Sequence, residues 1–260
     1  MNSLLFIGDI VGEAGVTYLE QRLPTLIADY QPTFIVANAE NLGLVPDLPG
    51  NAGMVPDLSE RLFAAGVDLL TGGNHSWDGP FGQTIHDDPR IIRPLNCSQM
   101  AGRGAAIISK AAGRLGVVSL ISPLIMPGAG DPYHALERQL AEWQGMVDWV
   151  MVDFHGESVT EKQSFGYAVS GKVLAVLGTH THVQTLDTWI LPGKTAYVSD
   201  VGMTGPGGGV QGYAPDFFIN FIRHGQPQGA PFALAAGQLE LGAVLVTFDL
   251  QGAYSIQRLH

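Results

Sequence analysis

Five short apolar runs in this chain each end, within a few residues, at a side chain able to hold a cation. That recurrence constrains the fold more than any other feature. Leu4–Ile7 is followed by Asp9, Phe34–Ala37 by Glu40 and Asn41, and Asp68–Thr71 by Asn74 and His75. Trp149–Asp153 leads to His155, and Val173–Leu177 leads to His180 and His182. Short apolar runs bounded by turn-forming residues are the signature of buried strands. Between the first of them Tyr18, Leu19, Leu23, Leu26 and Ile27 recur at helical spacing, as do Leu58, Leu62, Phe63 and Val67. A β-α-β-α-β rhythm of this kind defines a layered α/β sheet, whose ligands bind in a crevice outside the carboxyl ends of the strands.

The rhythm continues through a strand at Leu115–Ile121, a helix around Tyr133–Gly145, a strand at Trp149–Phe154, a short helix at Glu161–Ser170 and a strand at Val173–Leu177. The last third differs. Trp189–Leu191, Ala196–Ser199, Gln238–Leu250 and Tyr254–Gln257 are strand-like and closely spaced, with one helix near Phe217–Arg223. Antiparallel pairing is expected for several of these. No composition break divides the chain, so residues 1–260 are read as a single α/β/α sandwich domain. The duplicated Val45-Pro46-Asp47-Leu48 and Val55-Pro56-Asp57-Leu58 is too short to be an architectural repeat.

Composition narrows the partners. Thirteen basic and 24 acidic side chains give a net charge of −11, and the few lysines and arginines are scattered. Coating a long nucleic acid rests on Lys and Arg contacts to phosphates, so long polyanions are excluded as partners. Hydrophobic residues at 46% with charged residues at 14% exclude a disordered chain. A single cysteine, Cys97, excludes an intrachain disulfide framework and a four-cysteine zinc site. The apolar runs are far shorter than the roughly 20 residues that cross a bilayer, so no membrane is expected. The opening residues meet an acid at Asp9 and have no basic leader, which reads as a first strand in a cytoplasmic protein.

Each strand-end residue has an ordinary reading when taken alone. Asp9 could cap the next helix, Asn41 could form a turn, and His155 could be a hydrogen-bonded structural histidine. Glu40 is harder to explain structurally, since an isolated buried carboxylate is costly. His180 and His182 alternate across Thr181, so on an extended segment both imidazoles point to one side. Taken together, Asp, Glu, Asn and His at five strand ends form a hard-to-borderline ligand set, suited to iron, manganese or zinc. The other histidines, His86, His134, His224 and His260, read as surface residues.

Gly8-Asp9, Glu40-Asn41, Gly73-Asn74-His75, His155 and Gly178-Thr179-His180-Thr181-His182 follow the block order of calcineurin-like metallophosphoesterases. More narrowly, Gly8-Asp9-Ile10-Val11-Gly12, Ala39-Glu40-Asn41, Gly73-Asn74-His75-Ser76-Trp77-Asp78, Asp153-Phe154-His155, Thr160-Glu161-Lys162 and Asp200-Val201-Gly202-Met203-Thr204-Gly205 resemble the YmdB-like branch. Val11 stands where the wider superfamily carries a histidine, and Glu40 stands in place of its bridging aspartate; both agree with that branch. The resemblance implies a four-layer α/β/β/α metallophosphoesterase sandwich with mixed sheets, two divalent metal ions per chain and a tendency to homo-oligomers. It further implies phosphodiesterase action on 2′,3′-cyclic nucleotides such as 2′,3′-cAMP. By position, Asp9 and His182 would hold one metal with Asn41 close to it. Glu40 would bridge to a second, held also by Asn74, His155 and His180, and His75 would stand beside the leaving group. The loop from Leu42 to Val55, Pro-rich, acidic and without Lys or Arg, departs from the branch.

Those roles are physically consistent. Two cations about 3.5–4 Å apart repel, and a bridging carboxylate screens that repulsion. With Asp9, Glu40 and one hydroxide, two divalent ions leave a centre of about +1. Hydroxide generated there would attack phosphorus, and His75 would protonate the departing ribose oxygen as general acid. Iron or manganese is the expected metal, with zinc as the alternative. A broader phosphatase or nuclease, and a regulatory metal- or nucleotide-binding protein, are the competing functions. Among weaker features, Gly205–Gly209 reads as a structural turn more than a phosphate cradle, and Trp77, Tyr133 and Phe165 as packing aromatics more than base stackers. Asp200 could orient a metal-bound histidine, Arg90 and Arg93 could reach a phosphate, and Glu161-Lys162 reads as an exposed helix start.

Overall fold

The computed structural model describes residues 1–43 and 52–260; the first copy of the duplicated motif and most of the acidic Leu42–Val55 loop lie outside them. The first half runs β1 (Asn2–Ile7), α1 (Gly12–Tyr30), β2 (Phe34–Asn38), α2 (Pro56–Ala65), β3 (Leu69–Thr71), β4 (Ile91–Ile92), β5 (Ala105–Lys110) and β6 (Gly113–Ile121). Next come α3 (Pro132–Glu142), β7 (Trp149–His155), α4 (Val159–Ala168), β8 (Ala175–Thr179), β9 (Trp189–Leu191) and β10 (Thr195–Val198). The chain closes with β11 (Gly205–Pro206), α5 (Pro215–His224), β12 (Leu239–Glu240), β13 (Ala243–Asp249) and β14 (Gly252–Leu259).

Two six-stranded sheets form, in the orders β14-β13-β1-β2-β3-β4 and β5-β6-β7-β8-β10-β9. Parallel neighbours run from β1 through β2 and β3 to the edge strand β4 in one, and occupy the middle as β6, β7, β8 and β10 in the other. Antiparallel pairs flank them, β13 with β1 and β14, β5 with β6, and β9 with β10. The antiparallel expectation for the last third therefore holds for β9–β10 and β13–β14, while β10 joins β8 in parallel.

The runs read as unbroken apolar stretches because both faces of both sheets are covered. Side chains alternate across each strand. Leu5 and Ile7 of β1 pack with Val16, Leu19 and Leu23 of α1, whereas Leu4 and Phe6 face Leu115, Val117, Trp149 and Met151 of the second sheet. The far face of that sheet, through Val118, Val152 and Phe154, meets Leu136 of α3 and Phe165 of α4. The result is the four-layer α/β/β/α sandwich. The single-sheet α/β/α reading from the strand rhythm is corrected: periodicity reports that a strand is buried on both faces, but not which layer buries it. Helix α4 starts two residues earlier than expected because Ser158 caps it, its side chain accepting from Glu161 N.

His86 corrects another expectation. It is buried at 3% exposure, its Nε2–H donating to Ser76 O at 2.9 Å, under the ring of Trp77. Burial holds its pKa below the ordinary histidine value. The imidazole therefore stays neutral in the fold at pH values where the unfolded chain takes up a proton, and stability falls as pH drops below about 6.5. His86→Gln keeps a donor for Ser76 O without the titration. Its melting temperature should fall less than that of the wild type between pH 7.5 and 5.5; parallel acid losses would show that His86 is not the group responsible.

Candidate metal centre

The two sheets meet at their carboxyl edges, and there the strand-end residues come together from both. β1, β2 and β3 of the first sheet lead to Asp9, Glu40, Asn41, Asn74 and His75; β7 and β8 of the second lead to His155, His180 and His182. The crevice thus lies between two sheets and not along one.

Four lone-pair atoms converge around His155. Its Nε2 lies 3.0 Å from Glu40 Oε1, 2.9 Å from Asn74 Oδ1 and 3.1 Å from His180 Nδ1. Adjacent ligands placed about 2.0–2.2 Å from one ion stand roughly 3 Å apart. The spacing is that of a coordination shell. Within it Glu40, His155 and His180 alone supply a carboxylate and two imidazoles able to hold a metal. Gly73 keeps the space open: a Cβ there would lie 2.2 Å from Glu40 Oε2 and 2.4 Å from His155 Nε2.

Asp9 forms a second, looser half. It is fully buried, and Oδ1 has no hydrogen-bond partner. That orphaned oxygen lies 3.7 Å from His182 Nε2, which is itself 3.1 Å from Asn41 Nδ2. A buried carboxylate oxygen without a donor is costly unless a cation completes it. Asp9 does not cap α1, whose N-cap is Val11 with no side-chain bond; its Oδ2 instead accepts from His180 N at 3.1 Å.

The electrostatics follow from burial and crowding. Burial raises the Asp9 carboxyl above its usual value against the opposing pull of His182 and His155. Burial also pushes Glu40 up, but the His155 ring on Oε1 and the His75 N–H on Oε2 outweigh it and hold Glu40 below the ordinary range. Burial alone would lower His155; the Glu40 and Asp9 charges win and raise it to about 9. His180 is pushed down to about 3 by burial and by the neighbouring His155 charge. One positive charge at the convergence of Glu40, Asn74 and His180 is what the site demands, and a proton on His155 Nε2 or a metal ion meets that demand.

Residues behind the ligands set which nitrogen faces the centre. His155 Nδ1–H donates to Thr179 Oγ1 at 2.9 Å, and that hydroxyl donates to Asp153 Oδ1 at 2.6 Å. Asp153 is further held by Asn38 Nδ2 and Thr71 Oγ1, and burial pushes it up to about 6. His182 Nδ1–H donates to Gln211 O at 2.9 Å. In both rings Nε2 is therefore the lone-pair atom aimed inward. Asp153 and Thr179 stand in the sequence motifs without an assigned role and Gln211 escaped the sequence reading, although an acid inside the apolar run Trp149–Phe154 signals a buried partner.

Several weaker expectations are corrected. His180 and His182 do not alternate along an extended strand: β8 ends at Thr179, and both have left-handed backbone, φ 99° and 64°. The turn sends one imidazole to His155 and the other towards Asp9. Lys162 is not exposed but 1% accessible, paired with Asp200 at 2.9 Å, and Asp200 contacts neither metal-ligand ring. Arg90 pairs with Asp88 and Glu60, and Arg93 is buried on Pro94 O and Leu95 O, so neither is free for a phosphate. The glycines from 205 to 209 pack on residues 237–240 and Tyr213, which makes that loop structural. Phe165 packs on Phe154, and Trp77 Nε1 donates to Ala101 O. His75 stands apart, 38% exposed at the mouth, with Nδ1 2.7 Å from Asp78 Oδ2.

A two-sheet sandwich with oxygen and imidazole donors at the joined carboxyl edges defines a metallophosphoesterase-type protein. The chain belongs to the YmdB-like protein family, whose profile matches residues 5–259. It is 34% identical over 260 residues to the 2′,3′-cyclic-nucleotide 2′-phosphodiesterase of Bacillus subtilis, covering 98% of this chain and 96% of that one. Among solved structures, a hypothetical protein of Thermus thermophilus superposes with TM-score 0.88 at 32% identity, covering 98% of this chain and 96% of the other. A protein of Mycoplasma pneumoniae described as a novel phosphatase also gives 0.88, at 28% identity, covering 98% and 92%.

Thr179→Val keeps the shape of β8 but removes the hydroxyl between Asp153 and His155. Outer-shell losses of this kind cost about 10–100-fold in metal affinity. Mn²⁺ titration calorimetry should show that loss with the fold retained by circular dichroism, and an unchanged affinity would remove Thr179 from the ligand-orienting chain.

Proposed function

We propose that this chain, acting as one domain over residues 1–260, is a dinuclear metal-dependent phosphodiesterase. Its substrate is a small nucleotide phosphodiester, a 2′,3′-cyclic nucleoside monophosphate such as 2′,3′-cAMP, opened to a nucleoside monophosphate. Hydrolysis of a phosphoric ester is supported by the family together with its phosphodiesterase and phosphatase relatives. The observation that carries the dinuclear reading is the convergence of Glu40, Asn74, His155 and His180 on one buried point beside the partnerless Asp9 oxygen.

Asp9, Asn41 and His182 would hold one divalent ion, Asn74, His155 and His180 the other, with Glu40 shared. The donor set fits iron or manganese, with zinc as the alternative. When bound, such ions supply positive charge to the phosphoryl oxygens and acidify a coordinated water towards neutrality. The protein's own part is positional and acid–base. The Asp153–Thr179–His155 chain and Gln211 O keep the Nε2 atoms bare and inward. At the mouth, His75 Nδ1–H donates to Asp78 Oδ2, which fixes the ring and leaves Nε2 to deliver a proton to the departing ribose oxygen. Its partial exposure suits a group that must take a proton back from solvent after each turnover.

A cytoplasmic, self-associating enzyme is part of the same proposal. Among the described residues no helix is long and apolar enough to cross a membrane, and Phe221 and Ile222 of α5 expose apolar surface for a second copy. Asp9→Ala and Glu40→Ala are expected to abolish turnover. His75→Ala should retain its metal and lose about 100- to 10,000-fold in rate. Rates on 2′,3′-cAMP, on a phosphate monoester and on single-stranded RNA check the substrate class. Near-wild-type turnover by metal-loaded Glu40→Ala would remove the assigned centre, and a preference for the monoester would replace the diesterase reading with a phosphatase.

A further inference from the structure

Lys162 of α4 and Asp200 form an ion pair in which each side chain is 1% exposed. Lysine is almost never fully buried, and a buried ion pair is often no more stabilising than an apolar replacement. Stability alone therefore gives no reason for it. Its hydrogen bonds give one. Lys162 Nζ donates to Asp200 Oδ2 at 2.9 Å and to Thr179 O at 2.7 Å. Asp200 Oδ2 also accepts from Thr181 N at 2.9 Å, and Oδ1 from Gly202 N at 2.9 Å.

These bonds grip the segment on either side of His180, at the Thr179 carbonyl and the Thr181 amide. Both His180 and His182 sit at positive φ, 99° and 64°, where a residue with a Cβ stays only if its surroundings hold it. Relaxed to an extended strand, the segment would send both imidazoles to one side. Held in the turn, it sends His180 Nδ1 to the His155–Glu40 cluster and His182 Nε2 towards Asp9 and Asn41.

We propose that Lys162 and Asp200 are positioning residues that hold the His180–His182 turn in its left-handed form, so that one imidazole reaches each half of the centre. The inference rests on the dinuclear reading above for its consequence, and on backbone geometry for its cause. It acts through Thr179 and Thr181; neither Lys162 nor Asp200 needs to touch a metal or the substrate.

The test is the double variant Lys162→Met/Asp200→Asn, which keeps side-chain volume and leaves no unpaired buried charge. It is compared with wild type by thermal melting, by amide exchange of the peptide spanning residues 179–183, and by Mn²⁺ titration calorimetry. The expected result is a folded protein in which the Thr181 amide exchanges at least about tenfold faster and Mn²⁺ affinity falls about 10–100-fold, with activity recovering at saturating Mn²⁺. If the double variant does not fold, Asp200→Asn alone is measured the same way. Wild-type exchange and wild-type Mn²⁺ affinity in a folded variant overturn the proposal. Wild-type protein that binds Mn²⁺ without hydrolysing 2′,3′-cAMP sinks the phosphodiesterase reading while exchange and affinity still decide the role of the pair. Wild-type protein that binds no Mn²⁺ overturns both.

Discussion

Two carboxylates buried side by side at the junction of two sheets set the terms for everything around them. Asp9 and Glu40 are 0% and 1% exposed, and in an apolar interior such charges are tolerated only with compensating positive charge and donors. The fold provides few. Among the described residues no lysine or arginine contacts either group. The compensation comes from His155 on Glu40 and from the backbone amides of His75 and His180, while the Asp9 oxygen that lacks a hydrogen bond has only the rings of His182 and His155 near it, at 3.7 and 4.0 Å. A site that gathers five Asn and His side chains about two buried carboxylates is built for cations.

That local demand reconciles a chain of net charge −11 with an anionic substrate. Two divalent ions would leave the centre with its two carboxylates net positive, and exposed acidic groups are screened beyond about 8 Å at physiological salt. A small phosphodiester needs only that one positive point. Three of the nine arginines are committed elsewhere: Arg90 to Asp88 and Glu60, Arg61 to Glu13 and Glu20, and Arg93 to backbone carbonyls.

Much of this was legible in the amino-acid sequence, and the limits of that reading have physical causes. The five strand ends could be found because chemistry at a sheet edge follows directly after an apolar run. Their division between two sheets could not, since a strand covered by a second sheet and one covered by a helix show the same unbroken apolar stretch. The His180–His182 pair was read as extended because alternation is the default for a segment leaving a strand. The left-handed turn depends on a hydrogen bond from Lys162 to Thr179 O and one from Thr181 N to Asp200, partners 18 and 20 residues distant from His180. Lys162 itself looked like a solvated helix start; only the packing of α4 over β8 and the loop after β10 buries it. The supporting shell of Asp153, Thr179 and Gln211 is likewise tertiary, although the acid inside β7 left a trace in the sequence.

Metal content measured on the same preparation as turnover tests the central claim most directly. Apo-protein reconstituted anaerobically with increasing Mn²⁺ or Fe²⁺ should bind two equivalents per chain. Opening of 2′,3′-cAMP should rise with occupancy of the second equivalent. Full turnover from protein carrying less than one metal per chain would contradict the dinuclear centre.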